Sequence, residues 1–389
     1  MTLTTLDIIL IIIAVTIAAA MIVVLLRRKK FVIKTARRFD DKYSSLLQES
    51  ESEVRRLKLI NDQLNKRTAA TKSTAATTSA MVPGIDIDKF AKEQKQFEIK
   101  QQELSERNKQ LWSMSVSIEK ERQHIQTLKN EIEAQHRAVT SSIQYAKLIQ
   151  NAVLPSAEIL KESFEDVFLF WRPRDIVSGD YYWMKRIGDT VIFTVADCTG
   201  HGVPGAFMSM LGVAFLNEIC VEFNDDTHPA QILEQMRNKV ITTLRQTNDP
   251  LEQKDGMDMG LCILNLATMK MQFAGANNGM YHVRGTTLTE YKAVKNPIAI
   301  YPKILPFVDH DVDIQHGDYV YMYSDGYADQ FGDDNRKFTS RRLRELLVSI
   351  NSQTKVASEQ AKLLENNLAE WRGTKEQMDD ILIGGYCIK

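Results

Sequence analysis

Hydrophobic positions along the 389-residue chain fall into four successive patterns. The first is an uncharged, strongly apolar run over residues 8–26, closed by "RRKK" at 27–30. A helix of that length crosses the hydrocarbon core of a bilayer. The basic cluster follows the run rather than preceding it, which disfavours a cleaved signal peptide and places the C-terminal side in the cytoplasm. Residues 5–27 are therefore predicted as a single-pass transmembrane helix in the inner (cytoplasmic) membrane, with the rest of the chain cytoplasmic.

The second pattern, 28–86, is a charged, helix-permissive stretch followed by "TAATKSTAATTSAMVPG". Thr, Ala and Ser without an apolar period read as a flexible linker. The third pattern covers 87–154. Phe90, Phe97, Leu104, Leu111, Ile118, Ile125, Ile132, Val139, Ala146 and Val153 recur every seven residues between polar positions. A sustained seven-residue repeat predicts a coiled coil. The second seam is apolar only in places (Met114, Leu128, Ile143, Ile149), so the expected assembly is a marginal, parallel homodimer. The competing reading is one long amphipathic helix lying on the next domain. Pro155 ends the pattern.

The fourth pattern, 160–389, alternates short strand-like runs with turns and a few helical stretches. "DYYWMKRIGDTVIFTVAD" begins at Asp180 and reads as a hairpin about Gly188-Asp189, a dipeptide suited to a two-residue turn with Gly first. "DGMDMGLCILNLATMKMQFAGANNGMYHVRG" reads as further hairpins, with "AGANNG" as a glycine-and-asparagine turn.

Composition narrows the function classes. The net charge of −1 lacks the basic excess of a nucleic-acid binder, so no nucleic-acid partner is expected. Cys198, Cys220, Cys262 and Cys387 show no CxxC pair or metal-finger spacing and are expected to be buried free thiols.

Carboxylates at strand ends carry the candidate chemistry. If Gly188-Asp189 is the hairpin turn, Ile187 pairs with Thr190 and, counting outward, Asp180 meets Asp197 with Cα atoms roughly 5 Å apart. Like charges opposite one another are destabilising unless a divalent cation joins them or one is protonated. A second strand, "DYVYMYSDG", stops at Asp325, and a third, "DDILIGGYCI", starts with Asp379 and Asp380. In antiparallel neighbours the end of one strand lies beside the start of the next, so Asp180, Asp197, Asp325 and Asp379 can gather at one sheet edge. Hard oxygen donors favour Mg²⁺ or Mn²⁺ over Zn²⁺. Any one Asp at a strand end is more simply a turn or helix cap; the convergence of four is the signal.

At these residues the sequence resembles a known family. "SGDYYW", "VADCTGHGVPGAFMSM", "DGMDMGLC", "AGANNGMYHVRG", "YMYSDGYADQFG" and "QMDDILIGGY" stand in the order and spacing of the SpoIIE-like serine phosphatases, the bacterial branch of the PPM (type 2C-like) phosphatases. "SIQYAKLIQNAVLPS" resembles the helix leading into such domains. The resemblance implies an α+β fold, an α/β/β/α sandwich, and two Mn²⁺ or Mg²⁺ ions that activate a water against a phosphoserine or phosphothreonine. It implies that Asp197 bridges both ions, that the Cys198 carbonyl binds one, and that Asp325 and Asp379 bind the other. Asp180 would contribute directly or through water, Asp380 would be the lesser of the final pair, and Asp258 would belong to an outer site. His201 is displaced from the position at which other PPM branches carry a general acid. Arg172 and Arg174 are candidates to grip the substrate phosphate, with a surface role as the alternative. The substrates this implies are phosphorylated signalling proteins, often anti-sigma-factor antagonists. The chain has neither a Cys-x5-Arg loop nor a Walker motif. Two other readings stay open: a catalytically inactive scaffold and a small-molecule phosphatase. Regulation is expected through the helix around residues 143–153.

Overall fold

The computed structural model describes residues 87–247 and 254–389, with isolated positions (52, 55, 56, 59 and 66) before them. The predicted membrane anchor, 5–27, and the Thr/Ala/Ser-rich linker lie outside the described residues. Two compact units divide the chain at Met1–Ala138 and Val139–Lys389. The boundary falls within a continuous helix, α1 (Ile87–Val153), which stops two residues before Pro155. A proline disfavours helical geometry at the residue before it, so the stop follows from the sequence.

The second unit holds two five-stranded antiparallel sheets. One has the order β1 (Asp166–Arg172), β10 (Ile381–Cys387), β9 (Tyr319–Tyr323), β6 (Met280–Arg284) and β7 (Thr287–Tyr291). The other has the order β2 (Tyr181–Ile187), β3 (Thr190–Cys198), β4 (Met257–Asn265), β5 (Lys270–Ala276) and β8 (His310–Val312).

Side-chain alternation along the strands makes the layers. On β3, Val191, Phe193 and Val195 join Met322, Leu382 and Tyr386 in a core between the sheets. Ile192 and Ala196, on the opposite face, pack with α3 (Gly202–Ile219) and α4 (Pro229–Thr243). On β10, Leu382 and Tyr386 face the inter-sheet core, whereas Ile381 and Ile383 pack with α6 (Ser340–Gln353) and α7 (Ala357–Arg372). Successive strand side chains point to opposite faces, so strands covered on both sides read as continuous apolar runs. The result is the expected α/β/β/α sandwich. Two short helices complete it: α2 (Ala157–Ser163) and α5 (Gly326–Asp329).

One expectation needs correction. The β4–β5 hairpin forms, with Asn265 opposite Lys270. "AGANNG", however, does not close a hairpin: β5 and β6 lie in different sheets, and residues 277–279 carry the chain between them. Local turn chemistry fixes a reversal but not the sheet the next strand joins.

Among the described residues one helix, α3, is long and apolar enough to cross a membrane by length and composition. Half of it is buried inside the domain, as befits a core helix. All four cysteines are free and buried, as expected.

Candidate metal centre

The hairpin register is the one the sequence predicts: Ile187 opposite Thr190, and Tyr181 opposite Ala196. Gly188 takes the positive φ (59°) that such a turn favours in glycine. Asp180 therefore sits one residue outside the ladder, beside Asp197. On the other flank of β3, Asp197 pairs with Asp258 of β4. The second sheet supplies the rest. Tyr323 at the end of β9 pairs with Ile383 of β10, so Asp325 and the Asp379-Asp380 pair converge where β9 ends and β10 begins.

The two sheets bring their carboxylates together. The Asp325 backbone N–H approaches Asp197 Oδ2 at 3.5 Å. Burial pushes the Asp180 carboxyl well above the usual carboxylate range, and the Asp197 charge pushes it further. Asp197 is likewise raised, first by burial and then by Asp325 and Asp258. Asp325 is pushed up to about 6 by burial, with Asp329 and Asp379 adding to it. Asp180 is 2% exposed, and its Oδ2 has no hydrogen-bond partner. A buried carboxylate oxygen with no donor is costly, and a cation or a proton relieves the cost. Although Asp325 occupies the N-cap position of α5, its side chain makes no cap hydrogen bond. A capping duty therefore does not account for it.

These donors, carboxylate oxygens beside the Cys198 carbonyl, fit a hard divalent ion such as Mg²⁺ or Mn²⁺. Among the described residues no three His, Cys, Asp or Glu side chains are drawn in tightly enough to form a closed metal cage. Mutual repulsion of uncompensated carboxylates opposes such a closure.

The remaining candidates separate by what they touch. Asp380 is buried, and its carboxylate accepts the Arg174 and Gly179 N–H groups, each at 2.7 Å. It clamps the loop that delivers Asp180, whereas its neighbour Asp379 is exposed. Arg172 lies outside the cluster; its guanidinium is paired with Glu365 of α7 and stacks over Phe170. The exposed Arg174 is anchored to the site through its backbone. His201, at the N-cap of α3, holds its Nδ1 2.6 Å from Asp175 Oδ2. The Cys198 thiol is buried and raised in pKa chiefly by that burial.

Several positioning residues were not singled out in the sequence. Gln150, near the end of α1, is 3% exposed. Its Nε2 donates to the Ser178 carbonyl at 2.6 Å and to Ser209 Oγ at 2.9 Å, and its Oε1 accepts the Ser178 N–H at 3.2 Å. Asn277, at φ 57°, donates from Nδ2 to Asp258 Oδ1 at 2.9 Å. The left-handed asparagine in "AGANNG" was the available signal; a polar residue in a heptad pattern was a weak one for Gln150.

Gly326 shows how tightly the site is built. A Cβ there would lie 1.9 Å from the Asp380 carbonyl oxygen. Gly326→Ala must push the start of β10 away from α5, moving Asp325 and Asp379 apart. It is expected to cost about 1–3 kcal/mol and to weaken metal binding, read by thermal denaturation with and without Mn²⁺.

The fold is that of a PP2C-type phosphatase domain. The family described as Stage II sporulation protein E (SpoIIE) matches residues 187–385, and the chain belongs to that family. The SiaA-PP2C domain of Pseudomonas aeruginosa is 32% identical, with a TM-score of 0.58, over 66% of this chain and 98% of that one. Phosphoserine phosphatase RsbU of Bacillus subtilis (strain 168) is 25% identical over 199 residues, 49% of this chain. The chain spans about half, 54%, of that relative's length.

Proposed function

We propose that this chain is a metal-dependent protein serine/threonine phosphatase, anchored in the cytoplasmic membrane by residues 5–27 and acting on a phosphorylated signalling protein. The observation that carries the reading is the buried Asp180 carboxylate, its Oδ2 unpartnered, beside Asp197 and joined from the second sheet by Asp325 and Asp379. The few hydrogen bonds these carboxylates accept leave the Asp180 Oδ2 unpartnered and the mutual repulsion uncompensated. The description of the RsbU relative as a phosphoserine phosphatase supports the same class.

In this reading Asp197 would hold the divalent ions together with the Cys198 carbonyl and Asp180 from one sheet and Asp325 and Asp379 from the other. The chemistry such ions would supply there is a lowered pKa of a bound water and neutralisation of charge on the phosphoryl oxygens. The protein residues supply placement. Asp380 fixes the loop from Arg174 to Gly179. Arg174 then offers a cation to the phosphoryl group, and the buried neighbours of Asp180 keep bulk water from it. A small phosphorylated protein of the anti-sigma-factor-antagonist kind is the proposed substrate.

Phosphate release from a phosphoserine protein, measured with Mn²⁺, with Mg²⁺ and with chelator, tests the reading. Metal-dependent release is expected, with nucleotides and sugar phosphates turned over far more slowly. A folded protein that binds metal but releases no phosphate would instead be a scaffold.

The coiled-coil helix is proposed to regulate the site, as a homodimer, through its last turns. Gln150 ties α1 to Ser178, two residues before Asp180. Gln150→Ala leaves buried polar groups unpaired, a loss of about 1–3 kcal/mol. It is expected to raise the Mn²⁺ concentration needed for half-maximal activity severalfold in the full chain. An unchanged metal requirement would disconnect the helix from the site.

A further inference from the structure

The segment over residues 292–303, "KAVKNPIAIYPK", contains three lysines and no acidic residue. It is joined to the site through Asn277 and Asp258. Lys295 Nζ donates to the Asn277 carbonyl at 3.2 Å, and Asn277 Nδ2 donates to Asp258 Oδ1 at 2.9 Å. Asp258 in turn faces Asp197 across the β3–β4 ladder. A single asparagine therefore links the ammonium to the carboxylate cluster.

The mount of this lysine is rigid. Just before it, Val294 exchanges backbone hydrogen bonds with Asn277 and Gly275, at 2.9 and 3.0 Å. Just after it, Ile298 pairs with Met257 at 2.9 and 3.4 Å. Between them Asn296 is 1% exposed, and its side chain bonds the Lys295 and Lys303 carbonyls and the Leu305 N–H. Buried, fully bonded amides of this kind fix backbone position. Lys295 itself is exposed; its ammonium donates to a neutral carbonyl, and its charge favours the ionised Asp258 carboxyl without forming an ion pair with it. Of three N–H donors it spends one, so two remain for a ligand.

We infer that Lys295 is a specificity-determining residue that binds an acidic side chain close in sequence to the phosphorylated residue of the substrate. The inference rests on the phosphatase reading above. Asp258 and Asn277 stand between Lys295 and Asp197, which puts the ammonium at the rim and not over the phosphoryl position. An extended peptide places successive residues about 3.3–3.6 Å apart, so a side chain one to three residues from the phosphoserine reaches that rim. Lys292 and Lys303, exposed on the same segment, extend the positive potential along the peptide's path.

Binding of non-hydrolysable phosphonate analogues of phosphoserine peptides tests this, using the full chain with Mn²⁺ and fluorescence anisotropy. Three peptides carry acidic, neutral or basic residues beside the phosphonate. Lys295→Gln is expected to weaken the acidic peptide about fivefold and the neutral one less than twofold. Lys295→Arg keeps the preference, and Lys295→Glu shifts it towards the basic peptide. Equal weakening of acidic and neutral peptides, no change in either, or no preference in the unsubstituted chain overturns the inference. Unchanged thermal stability of Lys295→Gln separates a lost contact from misfolding. Phosphate release from ordinary phosphopeptides is read in parallel: selective binding without release defeats the phosphatase reading alone.

Discussion

Asp197→Asn is expected to reduce phosphate release roughly a thousandfold or more while making the metal-free protein more stable. The two effects share a cause. Asp197 sits between Asp180, Asp258 and Asp325; beyond burial, the charges of Asp325, Asp258 and Asp379 oppose its ionisation, and its own charge opposes that of Asp180. The asparagine keeps the shape and removes one charge, so repulsion among the carboxylates falls. In the proposed reading it would also remove the carboxylate on which binding of the divalent ions depends. Thermal denaturation in chelator is expected to rise by a few degrees. Titration with Mn²⁺ is expected to stabilise the unsubstituted protein and to leave the variant almost unchanged. A variant that keeps its turnover would remove Asp197 from the centre. A variant less stable than its parent in chelator would show that the cluster is not under electrostatic strain.

The second large effect is on pH. Asp180, Asp197 and Asp325 have folded-state pKa values above their ordinary carboxylate values, Asp325 at about 6. The sign follows from proton counting. Below about pH 4 these groups are protonated in folded and unfolded chains alike. Between that pH and the raised folded values, the folded chain holds protons that the unfolded chain has lost. Stability of the metal-free protein therefore falls as pH rises through this window, and the loss is complete above the folded values. In the proposed reading divalent ions would replace the protons, so their binding is expected to strengthen with pH and to release protons. In chelator the melting temperature is expected to drop by roughly 5 °C between pH 5.5 and pH 8, and saturating Mn²⁺ is expected to abolish the drop. A melting temperature in chelator that stays level or climbs over the same range contradicts the account.

Much of the candidate site was legible because it is written in local register. A two-residue turn at Gly188-Asp189 fixes the pairing of β2 with β3, and that alone sets Asp180 beside Asp197. The apolar run that stops at Asp325 and the one that starts after Asp380 mark strand ends by composition. Other features depended on long-range placement. The sequence favoured Asp379 over Asp380 by resemblance; the structure shows what Asp380 does, because its partners at Arg174 and Gly179 are some two hundred residues away in the chain. Arg172 and Arg174 looked equivalent in "FWRPRD". They differ because Arg172 lies at the end of β1, within reach of Glu365, whereas Arg174 lies in the clamped loop.

The sequence by itself determined the elements, the strand pairing next to tight turns, and a set of carboxylates too regular to be caps. Side-chain period, turn residues and charge are local properties, and they can be read one segment at a time. Only the tertiary structure decided which sheet each strand joins, so that "AGANNG" crosses between sheets and brings Asn277 to Asp258. It also decided that Gln150 of the long helix reaches Ser178, and that Lys295 stands at the rim. Those contacts join residues far apart in the chain, and they are chosen by how the two sheets and their helices bury their apolar faces together.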